Sequence, residues 1–195
     1  AHESGWFPSP LPAIYSGEKM KGFREWLAAD SFMAGLSLGG SFVSSNVEDY
    51  YLSPYDLGYG HIVKFDHDFV GRAALEVKQD QPHRHKRTLR WFKDDVVNVF
   101  ASQLGEAERF KFMDMPASHY ATCPYDLVSA GGMPVGISHY PVYTSNVRGW
   151  ISLALLDENV AEPGTNVSLT WGEPDGGSAK PTGERHVQTE IACVV

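Results

Sequence analysis

Two stretches in the last third of the chain limit its fold most, because both alternate apolar and polar residues with a period of two. Val167, Leu169 and Trp171 fall on one side of the first, and Val187, Thr189, Ile191, Cys193 and Val195 on one side of the second. Such alternation marks strands that bury one face and wet the other. Upstream, residues 88–92, 125–129, 134–138 and 150–156 read as further short strands, with Gly131-Gly132 as a turn. Short strands at this spacing predict an antiparallel sandwich or small barrel over residues 85–195, with one or two helices. One helix is expected after Phe92, capped by Asp94 or Asp95. It would carry Val96, Val97, Phe100 and Leu104 on one side and stop at Gly105.

The first 80 residues follow a different grammar. Residues 1–14 hold Pro8, Pro10 and Pro12 beside Trp6 and Phe7, which predicts an extended segment. Ser16 is placed to cap a helix in which Met20, Phe23 and Leu27 recur at helical spacing, and the glycine-rich run 35–41 ends it. Residues 60–66 read as a strand and 71–79 as a short helix stopped before Pro82. The polar, basic run 80–87 reads as a linker, and 172–183 as a surface loop. The expected class is therefore α+β: part of a mixed α/β region over 1–80, then an antiparallel β-barrel over 85–195.

At 195 residues the chain can bury a real core. It carries 24 Asp and Glu against 16 Lys and Arg, a formal charge of −8, and both parts are acidic. Nucleic-acid binding needs a basic face that replaces released counterions, and none is available in bulk. No apolar run approaches the roughly 20 residues of a membrane helix. The start, AHESGWFPSP, has neither a basic leader nor an apolar core, and it reads as a chain cut from something longer. Cys123 and Cys193 stand far apart in no metal-like spacing, which predicts reduced thiols and a cytoplasmic protein.

Three clusters could carry chemistry. In Tyr15-Ser16-Gly17-Glu18, the carboxylate either complements the dipole of a helix start or accepts parallel N–H donors from a ligand. In Glu48-Asp49-Tyr50-Tyr51-Leu52-Ser53-Pro54, a tyrosine near acidic neighbours can act as a general acid, or the two rings simply divide between core and solvent. Tyr55-Asp56-Leu57-Gly58-Tyr59-Gly60 offers an aromatic slot or a plain turn. Asp66-His67-Asp68 and the run 83–87 read as helix-cap and linker residues, and no metal site is expected.

Taken in order, these motifs resemble the glycine-cleavage T-protein (aminomethyltransferase) family. The stretch from Gly40 to Leu75, ending in Phe-Val-Gly-Arg-Ala-Ala-Leu, is similar to its central signature. In detail it looks closer to the branch of tetrahydrofolate-dependent O-demethylases of methoxylated aromatic acids such as vanillate and syringate. Met115-Pro116-Ala117, residues 135–138, 171–174 and 184–188 are similar to that branch's C-terminal barrel. The resemblance implies a methyl group moved from an aryl methoxy acid to tetrahydrofolate, giving 5-methyltetrahydrofolate and a phenol. It implies Tyr50, with Tyr51 as alternative, assisting departure of the phenolate. Glu18, with Tyr15 and Tyr55 nearby in the motifs, would bind the cofactor. It further implies that a long N-terminal region of the protein, holding much of the pocket, lies outside this chain. The alternatives are an aminomethyltransferase of glycine cleavage and a non-catalytic docking module. A face around Trp6, Phe7 and Trp26, left open without that region, would then favour a homodimer.

Overall fold

The computed structural model describes residues 2–7, 10–177 and 184–195. In chain order its elements are α1 (Lys21–Trp26), β1 (Leu38–Gly39), α2 (Arg72–Lys78), β2 (His85–Trp91), α3 (Lys93–Ala101), β3 (Cys123–Pro124), β4 (Asp126–Ala130), β5 (Met133–Thr144), β6 (Gly149–Leu156), β7 (Asn166–Trp171) and β8 (Thr189–Val194). Six strands close an antiparallel barrel in the order β2-β6-β5-β4-β7-β8, and Arg90–Val194 and Trp91–Cys193 pairs join its ends. The α+β class and the barrel are as the alternation predicts.

The barrel interior is filled by large side chains. Leu89, Trp91, Val128, Leu156, Leu169, Trp171, Ile191 and Cys193 belong to one buried cluster. The polar members of β7 and β8 face outward, where Ser168 and Thr170 donate to the Glu190 carboxylate. Strand β6 breaks the alternation, for Trp150 through Leu156 are all buried. A second cluster explains this: Leu153 and Leu155 pack outward against Phe7, Leu11, Tyr50, Leu57, Tyr125 and Ile137. The N-terminal residues thus coat the outside of the barrel.

That coat has little regular structure. Its one strand, β1, runs parallel to β3 for two residues. The strand expected over 60–66 is absent. Gly60–Ile62 forms a 3-10 turn in which Ile62 and Val63 donate their N–H groups to Tyr59 and Gly60, so these groups are satisfied locally without a neighbouring strand. Ser16 does not cap the first helix either: a 3-10 turn at Glu18–Met20 precedes α1, with Gly17 at its cap and no side-chain bond. The segment 1–14 is not wholly extended, because His2–Ser4 makes a 3-10 turn, and Phe7 is buried, stacked on His139 at 4.3 Å. Trp6 and Trp26 are exposed, but the burial of Phe7 removes it from the open face expected around these three side chains.

Helix α3 begins at Lys93 with Phe92 as its cap, which places Asp94 and Asp95 inside the first turn. Asp95 accepts the Ala192 N–H instead of capping. The inward face is Val96, Val99 and Phe100, and Val97 and Leu104 are exposed, contrary to the expected stripe. The linker is shorter than expected, since β2 takes up residues 85–87. The supposed surface loop 172–183 starts with buried Glu173, and its residues 178–183 lie outside the described residues.

Candidate functional site

The seam between coat and barrel is stitched by backbone bonds. Cys123 donates to Ser37, Tyr125 to Gly39, and Phe42 to Tyr125, at 2.8–3.1 Å. Gly40 sits at the crossing with φ +99°, and a Cβ there would fall on the Tyr125 carbonyl, so only glycine fits. From this seam the chain descends into the tyrosine cluster. Asn46 caps the turn Val47–Tyr50 by accepting the Glu48 N–H at 3.1 Å, which fixes where the two tyrosines point.

The two rings have different fates. Tyr50 is buried edge-on against Phe42 and Tyr125. Its hydroxyl accepts the Ser44 N–H at 2.9 Å and donates to the Phe42 carbonyl at 3.3 Å. Tyr51 is half-buried, and its oxygen accepts the Tyr15 N–H at 3.2 Å. It lines a cleft of about 750 Å³ with Glu48, Asp49, Asp56 and the basic run that includes His83 and Arg84. Asp56 holds the cleft's two sides together, accepting from Ser53 with one oxygen and from the Arg84 N–H with the other.

Tyr15 and Tyr51 are therefore brought together, and both pack on the cluster that contains Tyr50. Tyr15 donates its hydroxyl to the Met33 carbonyl and Tyr55 to that of Leu75, so neither phenol has a spare proton. Glu18 lies apart on the surface, and among the described residues its one ion-pair neighbour is the Lys21 ammonium at 4.0 Å. Asp68, read as a cap, instead pairs with Arg72 at 3.3 Å, and Gly71 occupies the cap of α2. Among the described residues no three His, Cys, Asp or Glu side chains converge as metal ligands.

A buried charged cluster, not foreseen from the sequence, locks the same seam from the other side. The Lys111 ammonium is 2.7 Å from Glu173 Oε1 and lies over the Tyr120 ring. Glu173 Oε1 also accepts the Gly40 N–H at 3.1 Å. Asp126 accepts the Tyr120 hydroxyl at 2.6 Å and the Ser41 N–H at 3.2 Å. Burial raises the Asp126 carboxyl to about 6, against the pull of Lys111 and the Tyr120 hydroxyl. Burial also pushes Glu173 up, but Lys111 and the backbone N–H groups of Gly40 and Glu173 together outweigh it and hold that carboxyl below its usual range. His186 Nε2 lies 3.1 Å from both the Glu173 backbone nitrogen and Glu173 Oε2, and Nδ1 meets the Glu184 carbonyl at 2.8 Å.

Glu173 consequently stands between two cavities. One, of about 310 Å³, is shared with Gly40, Phe42 and Tyr50. The other, of about 670 Å³, is shared with Lys111, His119 and Tyr120. The sequence signal for this cluster is faint: one cation between Phe110 and Phe112, and a carboxylate directly after a strand.

Comparison with known proteins bears on the whole arrangement. The chain is 47% identical over 193 residues to a syringate O-demethylase of Sphingobium sp. (strain NBRC 103272 / SYK-6), covering 99% of this chain and 42% of that protein. It is 30% identical over 188 residues to a sesamin methylene transferase of Sinomonas sp. (strain No.22), covering 89% of this chain and 41% of that protein. No family model matches. The chain spans about two fifths of the length of these curated relatives, and the likeness to the O-demethylase branch read from its motifs is thereby shown.

Proposed function

We propose that this chain is the C-terminal portion of a one-carbon transferase that removes the methyl group of an aryl methyl ether, with tetrahydrofolate as acceptor. The observation that carries this reading is the 47% identity to a syringate O-demethylase across nearly all of the chain. The second relative's name, a methylene transferase, also describes movement of a single carbon.

The residues divide the work as follows. Breaking the C–O bond leaves a phenolate, and a proton supplied there lowers the barrier. The Tyr51 oxygen accepts from Tyr15, while its own proton has no acceptor among the described residues, and it faces the open cleft. These facts support Tyr51 as the proton donor. Tyr50, whose hydroxyl is engaged on both sides, is the alternative and more naturally a wall. Tetrahydrofolate, when bound, supplies the methyl acceptor. Glu18 fits a pterin edge because both its oxygens are exposed and free of hydrogen bonds among the described residues. Tyr15 and Tyr55 would offer that ligand ring faces, not hydroxyls. The cleft is open on one side, and productive positioning needs the rest of the protein.

The test uses the full-length protein, an aryl methoxy acid and tetrahydrofolate, reading phenol formation. Tyr51→Phe should lower kcat by roughly 10²–10⁴-fold, while the melting temperature falls only by the loss of the Tyr15 N–H bond. Full activity in Tyr51→Phe would move the role to Tyr50, and no phenol from the unaltered protein would remove the reading altogether. Calorimetric titration of the 195-residue chain with tetrahydrofolate, repeated with Glu18→Ala, measures its own share of the cofactor site.

A further inference from the structure

A cavity of about 530 Å³ opens on the barrel between α3 and the β5–β6 hairpin, and it shares no residue with the Tyr51 cleft. Its accessible walls are aromatic and aliphatic, Phe92, Phe100, Tyr143, Val97 and Met115, over a floor in which Trp91 and Trp150 are buried. Three cations reach it from three elements, Arg90 from β2, Lys93 from the first turn of α3, and Arg148 from the hairpin turn. No carboxylate lines it, although Asp and Glu outnumber Lys and Arg by 24 to 16 in the chain. The side chains of Arg90, Lys93 and Arg148 have no hydrogen-bond or ion-pair partner among the described residues.

Arg148 adds a second observation. Its φ of 49° lies in the left-handed region, which Gly adopts freely and an Arg does not. Gly149 follows directly, so the turn keeps an unfavourable residue at the position that lines the cavity. Strain held at one residue points to a task for its side chain.

We infer that this cavity is a binding site for a planar aromatic carboxylate, its ring against Phe92, Phe100 and Tyr143 and its carboxylate on the Arg90, Lys93 and Arg148 cations. The volume suits a ligand of that size, and a mostly apolar cavity with a few converging charges is the usual form of a small-molecule site. Guanidinium groups bind a carboxylate bidentately, and the aromatic walls favour a flat ring over an aliphatic chain. A polyanion is the wrong partner, since three cations in an acidic protein cannot follow a phosphate backbone.

The probe is 2-naphthoate, titrated into the 15N-labelled 195-residue chain while amide and indole shifts are followed. Saturable shifts should map to Trp91, Trp150 and the first two turns of α3. The neutral 2-naphthamide should bind about tenfold more weakly, the loss of one charge-assisted contact. Arg148→Gly suits the observed φ, so it should keep or raise the melting temperature while weakening naphthoate about tenfold. The Arg90→Gln, Lys93→Gln double variant should weaken it as much or more. Three results would overturn the inference: no saturable shifts at millimolar probe, shifts confined to the coat around Trp26, or equal affinity for acid and amide. Unchanged naphthoate affinity in both sets of variants would do the same.

Discussion

Lys111 carries a burden out of proportion to its place in the sequence. It is the cation against which Glu173 is buried, and Asp126 lies in the same low-dielectric pocket. Replacing it with Met keeps the apolar stem but strands Glu173, so Lys111→Met should cost about 3–5 kcal/mol in denaturant unfolding. Asp126 makes a separate, pH-dependent prediction. Its carboxyl titrates near 6 when folded and near 3.8 when unfolded, so the unfolded chain gives up that proton first. The contribution is complete below about pH 3.8 and is lost as pH rises through about 6. Measured against Asp126→Asn, the unaltered protein should lose roughly 2 kcal/mol between pH 4 and 7 and stay level above that. None of this was legible in the sequence. Lys111 and Glu173 are 62 residues apart, and only folding makes them neighbours. Glu18 and the tyrosines could be named as candidates from the sequence because they stand in contiguous motifs, whereas the engagement of each hydroxyl depends on distant carbonyls such as Met33 and Leu75.

At the scale of elements, periodicity succeeded where one face is buried and failed where the chain lies flat on another surface. Strands β7 and β8 alternate because one side fills the barrel and the other meets water. Residues 60–66 have the composition of a strand, but hydrogen bonds within the turn take their place. Helix α3 shows how a small error in start position turns a face. Beginning at Lys93 directs Val96 and Val99 inward and leaves Val97 half in solvent. Val99→Ala should therefore cost about 1–3 kcal/mol, and Val97→Ala less than about 0.5 kcal/mol. A thermal scan of the two variants side by side checks this, and equal losses would contradict the observed orientation.

Across the whole molecule, large apolar side chains of the coat remain in water. Trp26 and Phe32 are each 77% exposed, with Val43 and Val70 also open. Large apolar side chains left in water in this number are candidates for burial against a partner. The curated relatives are more than twice as long as this chain and have further residues that could cover such side chains; on this chain by itself a second copy can serve. Light scattering on the purified chain should show mass rising with concentration, and Trp26→Asp with Phe32→Ser should abolish the rise. A monomer at every concentration would argue that these side chains tolerate solvent.

The coat's attachment to the barrel has a kinetic meaning as well. Its anchoring bonds span long stretches of chain: 85 residues from Ser41 to Asp126, 114 from Leu11 to Tyr125, and 133 from Gly40 to Glu173. The β5–β6 and β7–β8 ladders, by contrast, join strands adjacent in sequence order. Short loops close before long ones. The barrel should therefore assemble first and the coat condense onto its finished surface, and amide exchange should release the coat at lower free energy than β6. A chain emerging from the ribosome would hold residues 1–80 unsettled until Val187 through Val195 had been made.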